Sequence, residues 1–436
     1  MDMYKNILII GGGFVGLTLG AKLLKEQDSI VTILESDVEK LKQLKVGNLH
    51  VSEPGLDSIL LKAQETKRLK FSEIEESKIY DAIFVCVGTS PSTLQENSSK
   101  NIFSLVKIVN TCLKRNGLLF IRSTVTIGTT EKFDLRIKSA GRVDINTFFA
   151  PERTAEGVAL EELDKLPQII GPTLNSDIGL AINFLENFGF KIVYCSDSKS
   201  AEFIKLISNA WRDSVFGLSN EIALMSENIG VDAGEIIKIA SYNYPRANIP
   251  LPGPVGGPCL YKDSHILMES FSEDFKLKSI IYNARLRNEE IESRIYKVLL
   301  EHLNRCTDRA WVLFLGAAFK GNPKTNDIRN GLTSNLVFRM YKDNFPVKIS
   351  IWDSTLGPKD LLDLRHLMIY SLSGALPEIV VIGNNSRELL TNNVLDFLNG
   401  LTSRTLIIDP WRIYKDFKNT SARVYHLGRK MINYDR

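Results

Sequence analysis

The feature that most constrains the fold is a glycine-rich turn near the N-terminus, set between an apolar stretch and a helical one. Asn6 to Ile10 predicts a β-strand, Gly11-Gly12-Gly13-Phe14-Val15-Gly16 follows at once, and Leu17 to Lys25 has helical periodicity. A second apolar strand, Ile30 to Leu34, ends at the acidic Glu35. In this order G-x-G-x-x-G predicts a dinucleotide-binding turn that opens a doubly wound parallel sheet.

Each residue of the turn has a predicted task. Gly11 makes the tight turn, Gly13 lets the backbone reach a pyrophosphate, and Gly16 allows close packing of helix on strand. The N-terminus of the helix that follows supplies backbone amides and a positive dipole end, which attract phosphate, and Phe14 and Val15 are assigned to the cofactor with the glycines. Glu35 is placed to accept hydrogen bonds from ribose hydroxyls, which favours NAD over NADP. The alternative is a tight turn in an α/β domain that binds no cofactor.

Further apolar stretches predict strands that end in small hydroxyl residues. Asp81 to Val87 leads to Thr89-Ser90-Pro91, and Gly117 to Arg122 leads to Ser123-Thr124-Val125. Ligands of open parallel sheets bind beyond the carboxyl ends of the strands, so these loops are expected to face the cofactor.

Another predicted strand, Thr147 to Ala150, runs into Pro151-Glu152-Arg153-Thr154-Ala155-Glu156-Gly157. Two carboxylates and an arginine at the end of a strand favour a role in binding. A solvated loop is the equal alternative for this segment.

The stretch from Ser198 to Ile229 predicts one long helix, because it contains no proline and keeps helical periodicity throughout. At about 1.5 Å per residue, such a helix spans more than one domain. Lys205, Asn209 and Arg212 recur at three- and four-residue steps and share a face. That polar row either faces water or lines a site, where a lysine can hold an oxyanion or exchange protons. The apolar remainder is large enough to pack against a partner subunit.

A second glycine-rich stretch, Gly253 to Asp263, holds an isolated cysteine. Glycines such as Gly256 let the backbone approach a ligand and leave Cys259 uncovered, and the nearby Lys262 favours the nucleophilic thiolate. Upstream, Arg246 is a candidate ligand of a phosphate or carboxylate. The alternatives are an inert, half-buried thiol and a surface arginine.

In the last third of the chain, apolar strands that end at an acidic residue occur again, and their order predicts a second doubly wound α/β domain. This part lacks a complete G-x-G-x-x-G motif. A nucleotide diphosphate is expected there instead of a second dinucleotide, held by Lys320, Arg329 and Arg412. The strands are predicted over Trp311 to Leu315, Lys348 to Trp352, Glu378 to Ile382 and Thr405 to Ile408.

Composition excludes several classes of function. The hydrophobic content of 44% is ordinary for a globular protein, and a net charge of +3 is too small to indicate nucleic-acid binding. Five widely spaced cysteines and five histidines form neither a disulfide framework nor a metal-binding spacing. No stretch reaches the length of a membrane span. We therefore expect a cytoplasmic protein with no metal, nucleic-acid or membrane partner, divided at 1–197, 198–303 and 304–436.

Together these motifs resemble those of the UDP-glucose/GDP-mannose dehydrogenase superfamily of nucleotide-sugar 6-dehydrogenases. The resemblance covers nearly the whole chain and implies two Rossmann-like domains joined by a long central helix that forms a dimer core. The motifs that carry it are Gly11 to Gly16, Ser123-Thr124-Val125 with Gly128-Thr129-Thr130, Pro151 to Gly157, the Lys205/Asn209 helix, Gly256-Gly257-Pro258-Cys259 with Lys262-Asp263, and Gly316 to Lys320 with Asp327-Ile328-Arg329.

The resemblance implies that the C6 alcohol of a UDP-sugar is oxidised to a carboxylate with two NAD+. Cys259 matches the cysteine that captures the intermediate aldehyde as a thiohemiacetal, which then becomes a thioester. Lys205 and Asn209 match the pair that stabilises the oxyanion. Glu152 and Asp263 match carboxylates assigned to water activation and proton handling.

The remaining assignments follow from the motifs and the resemblance together, with Thr124 also placed close to the reaction. The residues assigned to the cofactor are Gly11, Gly13, Phe14, Val15, Gly16, Glu35, Thr89, Thr124, Lys262 and Arg329. The residues assigned to the substrate are Glu152, Arg153, Lys205, Asn209, Arg212, Arg246, Gly256, Lys320 and Arg412.

Pro151-Glu152-Arg153, Tyr244-Pro245-Arg246 and Pro252 to Gly257 resemble the N-acetylhexosamine branch more than the UDP-glucose branch. This implies UDP-N-acetylmannosamine or UDP-N-acetylglucosamine as the substrate, in the supply of polysaccharide precursors. The alternatives are a UDP-glucose 6-dehydrogenase, a two-electron or decarboxylating relative of the 6-phosphogluconate type, and a nucleotide-sugar-binding protein without catalysis.

Overall fold

The computed structural model of the chain describes residues 6–26, 29–73, 78–89, 100–306, 310–414 and 420–429. Ser90 and Pro91, which the sequence predicts to follow a strand at the cofactor, lie outside these residues. The chain forms two compact units, Met1–Ser208 with His265–Ser272 and Asn209–Ser264 with Glu273–Arg436. The three-domain division stays a prediction.

The first unit alternates strands and helices, as its sequence predicts. Its elements are β1 (Asn6–Ile10), α1 (Phe14–Glu26), β2 (Ile30–Leu34), α2 (Val38–Lys45), α3 (Leu56–Glu65), β3 (Leu69–Ser72), β4 (Tyr80–Val85), α4 (Lys100–Phe103), α5 (Val106–Cys112), β5 (Leu113–Ile121), α6 (Thr129–Ser139), β6 (Asn146–Phe149), α7 (Ala159–Lys165), β7 (Gln168–Pro172), α8 (Ile178–Glu186) and β8 (Ile192–Tyr194).

These strands form one eight-stranded sheet with the order β3-β2-β1-β4-β5-β6-β7-β8. Every neighbouring pair is parallel except β6 and β7. The chain winds outwards from β1 to β3 and then returns to the other side of β1. The carboxyl ends of β1 and β4 therefore flank a topological switch point, the usual position of a ligand in such sheets.

Both faces of this sheet are buried, which explains why its strands are continuously apolar. In β1, Ile7 and Ile9 belong to one core, whereas Leu8 and Ile10 belong to the other. Successive side chains of a strand point to opposite faces, so a strand covered on both sides needs apolar residues at every position.

One helix, α9 (Ser198–Ile229), has 32 residues and the bounds that its periodicity predicts. It begins in the first unit and ends in the second. The chain later returns to the first unit for His265–Ser272, where the backbone N–H of Ile127 donates to Ser270 Oγ at 3.2 Å.

The second unit holds the rest of the helices and a smaller sheet. Its elements are α10 (Ala233–Ala240), α11 (Leu260–Met268, which ends in the first unit), α12 (Glu273–Lys278), α13 (Ile280–Leu303), β9 (Trp311–Leu315), α14 (Leu332–Lys342), β10 (Lys348–Trp352), β11 (Ile379–Ile382), α15 (Asn392–Asn399), β12 (Leu406–Ile408), β13 (Arg423–Tyr425) and two 3-10 helices (Leu362–Leu367 and Arg387–Leu390).

The five strands are all parallel and follow the order β10-β9-β11-β12-β13. The sheet again separates two cores, with Val312 and Phe314 of β9 on one side and Leu313 and Leu315 on the other. Its switch point lies between β9 and β11. The predicted fold class, two doubly wound Rossmann-like sheets and a long central helix, is confirmed.

Among the described residues, no helix is both long and apolar enough to cross a membrane. Within the same residues, no group of three or more His, Cys, Asp or Glu side chains is arranged to hold a metal ion.

Candidate active site

The glycine turn after β1 has the geometry of a dinucleotide-binding loop. Gly11 has a φ of +111°, and a Cβ there would lie 2.6 Å from the carbonyl oxygen of Cys86. A Cβ on Gly16 would lie 1.9 Å from the carbonyl oxygen of Gly11. At Gly13, by contrast, a Cβ would meet no described atom within 4 Å. This open space above the first turn of α1 fits a pyrophosphate bound to the helix N-terminus.

Glu35 is held at the rim of this turn. Its Oε2 accepts a hydrogen bond from the backbone N–H of Gly12 at 3.2 Å, and its Oε1 accepts one from Asp37 at 2.9 Å. Phe14 and Val15, the first residues of α1, are both half-buried. A carboxylate fixed beside the glycines fits the ribose of a bound NAD, as the sequence predicts.

Two loops at the carboxyl end of the first sheet are tied together. Thr89 follows β4, and its Oγ1 donates to the carbonyl oxygen of Thr124 at 2.7 Å. Ser123 Oγ donates to the carbonyl oxygen of Val87 at 2.7 Å. The structure thus brings together the hydroxyl residues that the sequence predicts to face the cofactor, at the same end of the sheet as the glycine turn.

Glu152 follows β6 and is buried against an arginine that the sequence analysis missed. Its Oε2 lies 2.5 Å from Arg122 Nη2, and its Oε1 accepts the backbone N–H groups of Arg153 and Thr154 at 2.7 and 2.9 Å. Burial raises the pKa of this carboxyl, but the Arg122 guanidinium and these N–H groups outweigh burial and hold it below its ordinary value. Arg122 directly precedes the predicted Ser123-Thr124 loop at the end of an apolar strand, a position that should have drawn notice.

The first turns of α9 carry two buried charged residues. Glu202 is fully buried and accepts hydrogen bonds from the backbone N–H groups of Gly128 and Thr130 and from Thr130 Oγ1. Burial raises the pKa of Glu202 to about 7 despite these bonds. Lys205, the predicted oxyanion ligand, lies one turn further along and is 8% exposed.

Cys259 has an exposed side chain and directly precedes α11. Its carbonyl oxygen accepts the backbone N–H groups of Lys262 at 3.1 Å and Asp263 at 2.9 Å, which closes the first turn of the helix. Before it, Gly257 has a φ of +87° and packs against the ring of Phe319. A thiol at a helix N-terminus is an environment that favours the thiolate.

Asp263 lies on the first turn of α11, and its side chain joins this helix to α9. Asn209 Nδ2 donates to Asp263 Oδ2 at 2.6 Å, and the carboxylate is 1% exposed. In the described part of the chain, no hydrogen bond reaches Asp263 Oδ1, which lies 3.8 Å from Lys262 Nζ. The structure therefore places Lys262 and Asp263 next to the backbone of Cys259, and Asn209 reaches this turn through its hydrogen bond to Asp263.

A cavity of about 360 Å³ opens beside the segment that leads to Cys259. Its lining combines apolar groups, such as Pro254, Phe319 and Trp411, with polar and charged residues (Arg285, Asn288, Glu289, Glu292, Asn330 and Asn335). Small-molecule sites use apolar rings for contact and placed polar groups for orientation. Gly256, predicted to contact the substrate, lines this cavity.

Lys320, predicted to hold the nucleotide, lines a crevice at the carboxyl ends of β9 and β11. Asn384, which follows β11, donates to the carbonyl oxygen of Ala318 at 3.1 Å. Asp353, which follows β10, accepts the backbone N–H of Ala317 at 2.9 Å. The crevice thus lies at the switch point of the second sheet, where a nucleotide is expected.

The other predicted nucleotide ligands contact protein groups. Arg329 is exposed and its Nε lies 2.9 Å from both carboxylate oxygens of Asp327. Arg412 Nη1 lies 2.7 Å from Asp232 Oδ1, and its Nη2 donates to the carbonyl oxygen of Leu427 at 2.9 Å. Either arginine would have to exchange these contacts to bind a ligand.

Three further predicted arginines are exposed, namely Arg153, Arg212 and Arg246. Arg246 Nε donates to the hydroxyl of Tyr244 at 3.2 Å and its guanidinium lies over that ring. The side chain of Arg212 differs in exposure from Lys205, although both belong to the predicted polar row of α9. The roles of these arginines, like those of the other site residues, stay predictions.

The sequence matches two models of one protein family. Residues 5–187 match the NAD binding domain of the UDP-glucose/GDP-mannose dehydrogenase family, and residues 199–290 match its central domain. The chain belongs to this family. It is 30% identical to a UDP-N-acetyl-D-mannosamine dehydrogenase of Methanococcus vannielii, over 97% of either chain. It is also 30% identical to the enzyme of that name from Methanococcus maripaludis, over 82% of this chain and 85% of that one.

A solved structure agrees with these matches. The UDP-D-ManNAc dehydrogenase of Pyrococcus horikoshii superposes with a TM-score of 0.81 at 26% identity, over 98% of this chain and 100% of that one. The protein is therefore an NAD-dependent nucleotide-sugar dehydrogenase, an oxidoreductase. The predicted superfamily, N-acetylhexosamine branch and cofactor are confirmed.

Proposed function

We propose that the protein oxidises the C6 hydroxyl of a UDP-N-acetylhexosamine, N-acetylmannosamine or N-acetylglucosamine, to a carboxylate through a covalent intermediate on Cys259. One observation carries the mechanism: an exposed thiol precedes α11, and Asp263, on the first turn of that helix, accepts a hydrogen bond from Asn209 of α9. The names of the relatives support an N-acetylated sugar. UDP-glucose remains the alternative substrate.

The overall reaction converts the alcohol, two NAD+ and one water into the carboxylate, two NADH and three protons. When bound, NAD+ accepts a hydride from C6, and the glycine turn with Glu35 would hold it beside the loops of Thr89 and Thr124. The predicted contributions of Lys262 and Arg329 to the cofactor stay part of this proposal.

Cys259 retains the sugar between the two oxidations. Its thiolate adds to C6 of the aldehyde, and the new C–S bond keeps the half-oxidised sugar in place while the cofactor is exchanged. Loss of the second hydride from this thiohemiacetal gives a thioester. Water then adds to the thioester, the C–S bond breaks, and the carboxylate and the thiol are released.

Lys205 and Asn209, one turn apart on α9, are assigned to the C6 oxygen, where fixed donors stabilise the developing negative charge. Asp263 accepts from Asn209 through Oδ2 and has Oδ1 available for proton transfer. Glu152 uses three of the roughly four acceptor positions of a carboxylate on Arg122 and backbone N–H groups. Its lowered pKa supports an ionised group that accepts a hydrogen bond from the attacking water.

The test is the stoichiometry of NADH. Purified protein is incubated with NAD+ and limiting UDP-N-acetylmannosamine, UDP-N-acetylglucosamine or UDP-glucose, and absorbance gives the NADH formed per sugar. We expect two NADH per sugar with an N-acetylated substrate. Cys259→Ser should abolish the complete reaction, because serine is a poor nucleophile at neutral pH.

Cys195→Ser is the matched control, because Cys195 is half-buried beside β8 and has no assigned role. It should leave the stoichiometry at two. One NADH per sugar, or an active Cys259→Ser, would indicate a two-electron dehydrogenase instead. Calorimetric binding of the sugar without any NADH would indicate a nucleotide-sugar-binding protein.

We also propose that the protein forms a homodimer through α9. Trp211, Leu218, Met225 and Ile229 are all more than half exposed and recur at seven- and four-residue steps. This spacing gives one apolar stripe along the helix, of the kind that packs against a second helix. The cytoplasmic location stays a prediction that rests on the cysteine pattern.

A further inference from the structure

The segment that leads to Cys259 (residues 253–259, here the cysteine segment) has few side chains that could fix the position of its backbone. Gly253, Pro254, Gly256, Gly257 and Pro258 contribute no side-chain donors or acceptors, and none of them belongs to a helix or a strand. Its placement must therefore come from groups on neighbouring elements. Our inference concerns those groups and rests on the proposed role of Cys259.

A buried ion pair between α9 and α13 reaches this segment. Arg285 Nη1 lies 2.8 Å from Asp213 Oδ1, and the two side chains are 1% and 0% exposed. The same Nη1 donates to the carbonyl oxygen of Leu260 at 3.2 Å, and Nη2 donates to that of Val255 at 3.4 Å. One planar guanidinium thus holds the backbone on both sides of Cys259.

Asp213 extends the same network to α11. Its Oδ2 accepts a hydrogen bond from Ser264 Oγ at 2.9 Å, and its Oδ1 accepts a second one from Asn288 Nδ2 at 2.8 Å. Ser264 directly follows Asp263, the proposed proton acceptor. Both oxygens of Asp213 are therefore engaged, and the carboxylate holds the first turn of α11 while Arg285 holds the segment before it.

Asn220 completes the network at the start of the segment. It exchanges two hydrogen bonds with the backbone of Gly253, at 2.9 and 3.0 Å, and donates to Asn288 Oδ1 at 2.8 Å. All these side chains are at most 2% exposed. They lie within the second unit.

We propose that Arg285 and Asp213 are positioning residues that set the orientation of the Cys259 thiol toward C6 of the sugar. A buried ion pair is a weak device for stability alone, since apolar residues of similar size often serve as well. Its directional hydrogen bonds, in contrast, fix the backbone at Val255 and Leu260, on either side of Cys259, where the side chains are apolar. Lysine at position 285 would keep the charge but lose the fork that binds two carbonyl oxygens at once.

The test is Arg285→Lys, assayed for NADH per sugar and for released aldehyde trapped with hydroxylamine. A displaced thiol should capture the aldehyde poorly, so NADH per sugar should fall below two and trapped aldehyde should appear. We expect kcat to fall about 10- to 100-fold, the effect of displacing a reacting group by roughly an ångström. The KM for NAD+ should stay unchanged. A loss of stability alone would lower the active fraction without changing the stoichiometry.

Arg294→Lys is the matched control. Arg294 lies on the same helix and pairs with α9 through Glu227 at 2.8 Å, with no hydrogen bond or ion pair to the cysteine segment among the described residues. It should keep two NADH per sugar. If Arg285→Lys does not fold, Ser264→Ala removes only one bond to Asp213 and should still release aldehyde.

The results distinguish a failure of the proposed function from a failure of the positioning role of Arg285 and Asp213. If the wild type yields two NADH per sugar and Cys259→Ser is inactive, the proposed function stands. In that case, a folded Arg285→Lys or Ser264→Ala that keeps full kcat and releases no aldehyde would overturn the positioning role. If the wild type yields one NADH per sugar, the function itself fails first.

Discussion

Glu152 and Glu202 show how the surroundings of a carboxyl group decide its charge. Both are buried, yet the pKa of Glu152 is below its ordinary value and that of Glu202 is raised to about 7. Glu152 has the Arg122 guanidinium beside it, whereas in the described part of the chain the hydrogen bonds to Glu202 come from neutral donors and the negative charge of Glu131 lies nearby. Neutral hydrogen bonds alone do not offset the loss of hydration around Glu202.

The raised pKa of Glu202 predicts a pH-dependent stability. The native carboxyl binds its proton up to about pH 7, whereas the ordinary value in an unfolded chain is 4.5. Between these values the native state binds more protons, so the free energy of unfolding should fall as the pH rises through this window. The loss should be on the order of 3 kcal/mol, since one unit of pKa corresponds to about 1.4 kcal/mol.

Glu202→Gln removes this titration, so its unfolding free energy should vary less between pH 5 and pH 8 than that of the wild type. Urea denaturation at the two pH values measures the difference. Glu161→Gln, at an exposed ion pair with Lys165, is the control and should keep the wild-type slope. Identical slopes for all three proteins would contradict a raised pKa at Glu202.

Several buried charged residues could not be predicted from the sequence. Glu202, Asp213 and Arg285 stand in helical stretches where a charged residue usually marks a solvated face. Each is buried because a partner distant in the chain satisfies it, and Arg285 lies 72 positions from Asp213. Residues that share a motif, such as Cys259 and Asp263, could be predicted because a motif keeps its members close in the chain.

At the scale of elements, hydrophobic periodicity predicted long or strongly apolar segments well. The observed bounds of α9, β9 and β10 coincide with the predicted ones. β3 and β13 were not predicted, because they are only four and three residues long and mix polar with apolar side chains. α11 was also missed, since the glycines and prolines before it indicated a continuing loop.

Substitutions at Gly13 and Gly16, in the glycine turn after β1, should distinguish an effect on cofactor binding from an effect on stability. Gly13→Ala adds a methyl group to open space where the cofactor is expected, so it should raise the Kd for NAD+ about tenfold or more, equal to about 1.4 kcal/mol. Its melting temperature should match that of the wild type. Fluorescence titration with NADH and thermal denaturation measure the two effects.

Gly16→Ala is the counterpart. Its Cβ would lie 1.9 Å from the carbonyl oxygen of Gly11, so the helix must shift. We expect a loss of roughly 1–3 kcal/mol in stability, the usual cost of overpacking. A Gly13→Ala protein that is as unstable as Gly16→Ala, or that binds NADH normally, would contradict the assignment of the turn.

At the scale of the whole molecule, the apolar stripe of α9 predicts the oligomeric state. Leu218 is 57% exposed and lies in the middle of the stripe. Leu218→Glu should convert a dimer into monomers, because an unpaired carboxylate would be buried at the centre of the contact. Size-exclusion chromatography with light scattering gives the mass directly.

Leu174→Glu is the control for this experiment. Leu174 is 79% exposed but lies between β7 and α8 of the first unit, away from the stripe in sequence. It should leave the dimer intact. A wild type that elutes as a monomer, or a Leu218→Glu dimer as stable as the wild type, would contradict a contact through α9.

The return of His265–Ser272 to the first unit has a consequence for biogenesis. A ribosome releases the chain from the N-terminus, and domains usually fold as they emerge. Here the N-terminal unit stays incomplete until its last segment has been translated, long after its sheet is available. During that interval the backbone N–H of Ile127 has yet to meet Ser270 Oγ, its hydrogen-bond partner in the folded unit.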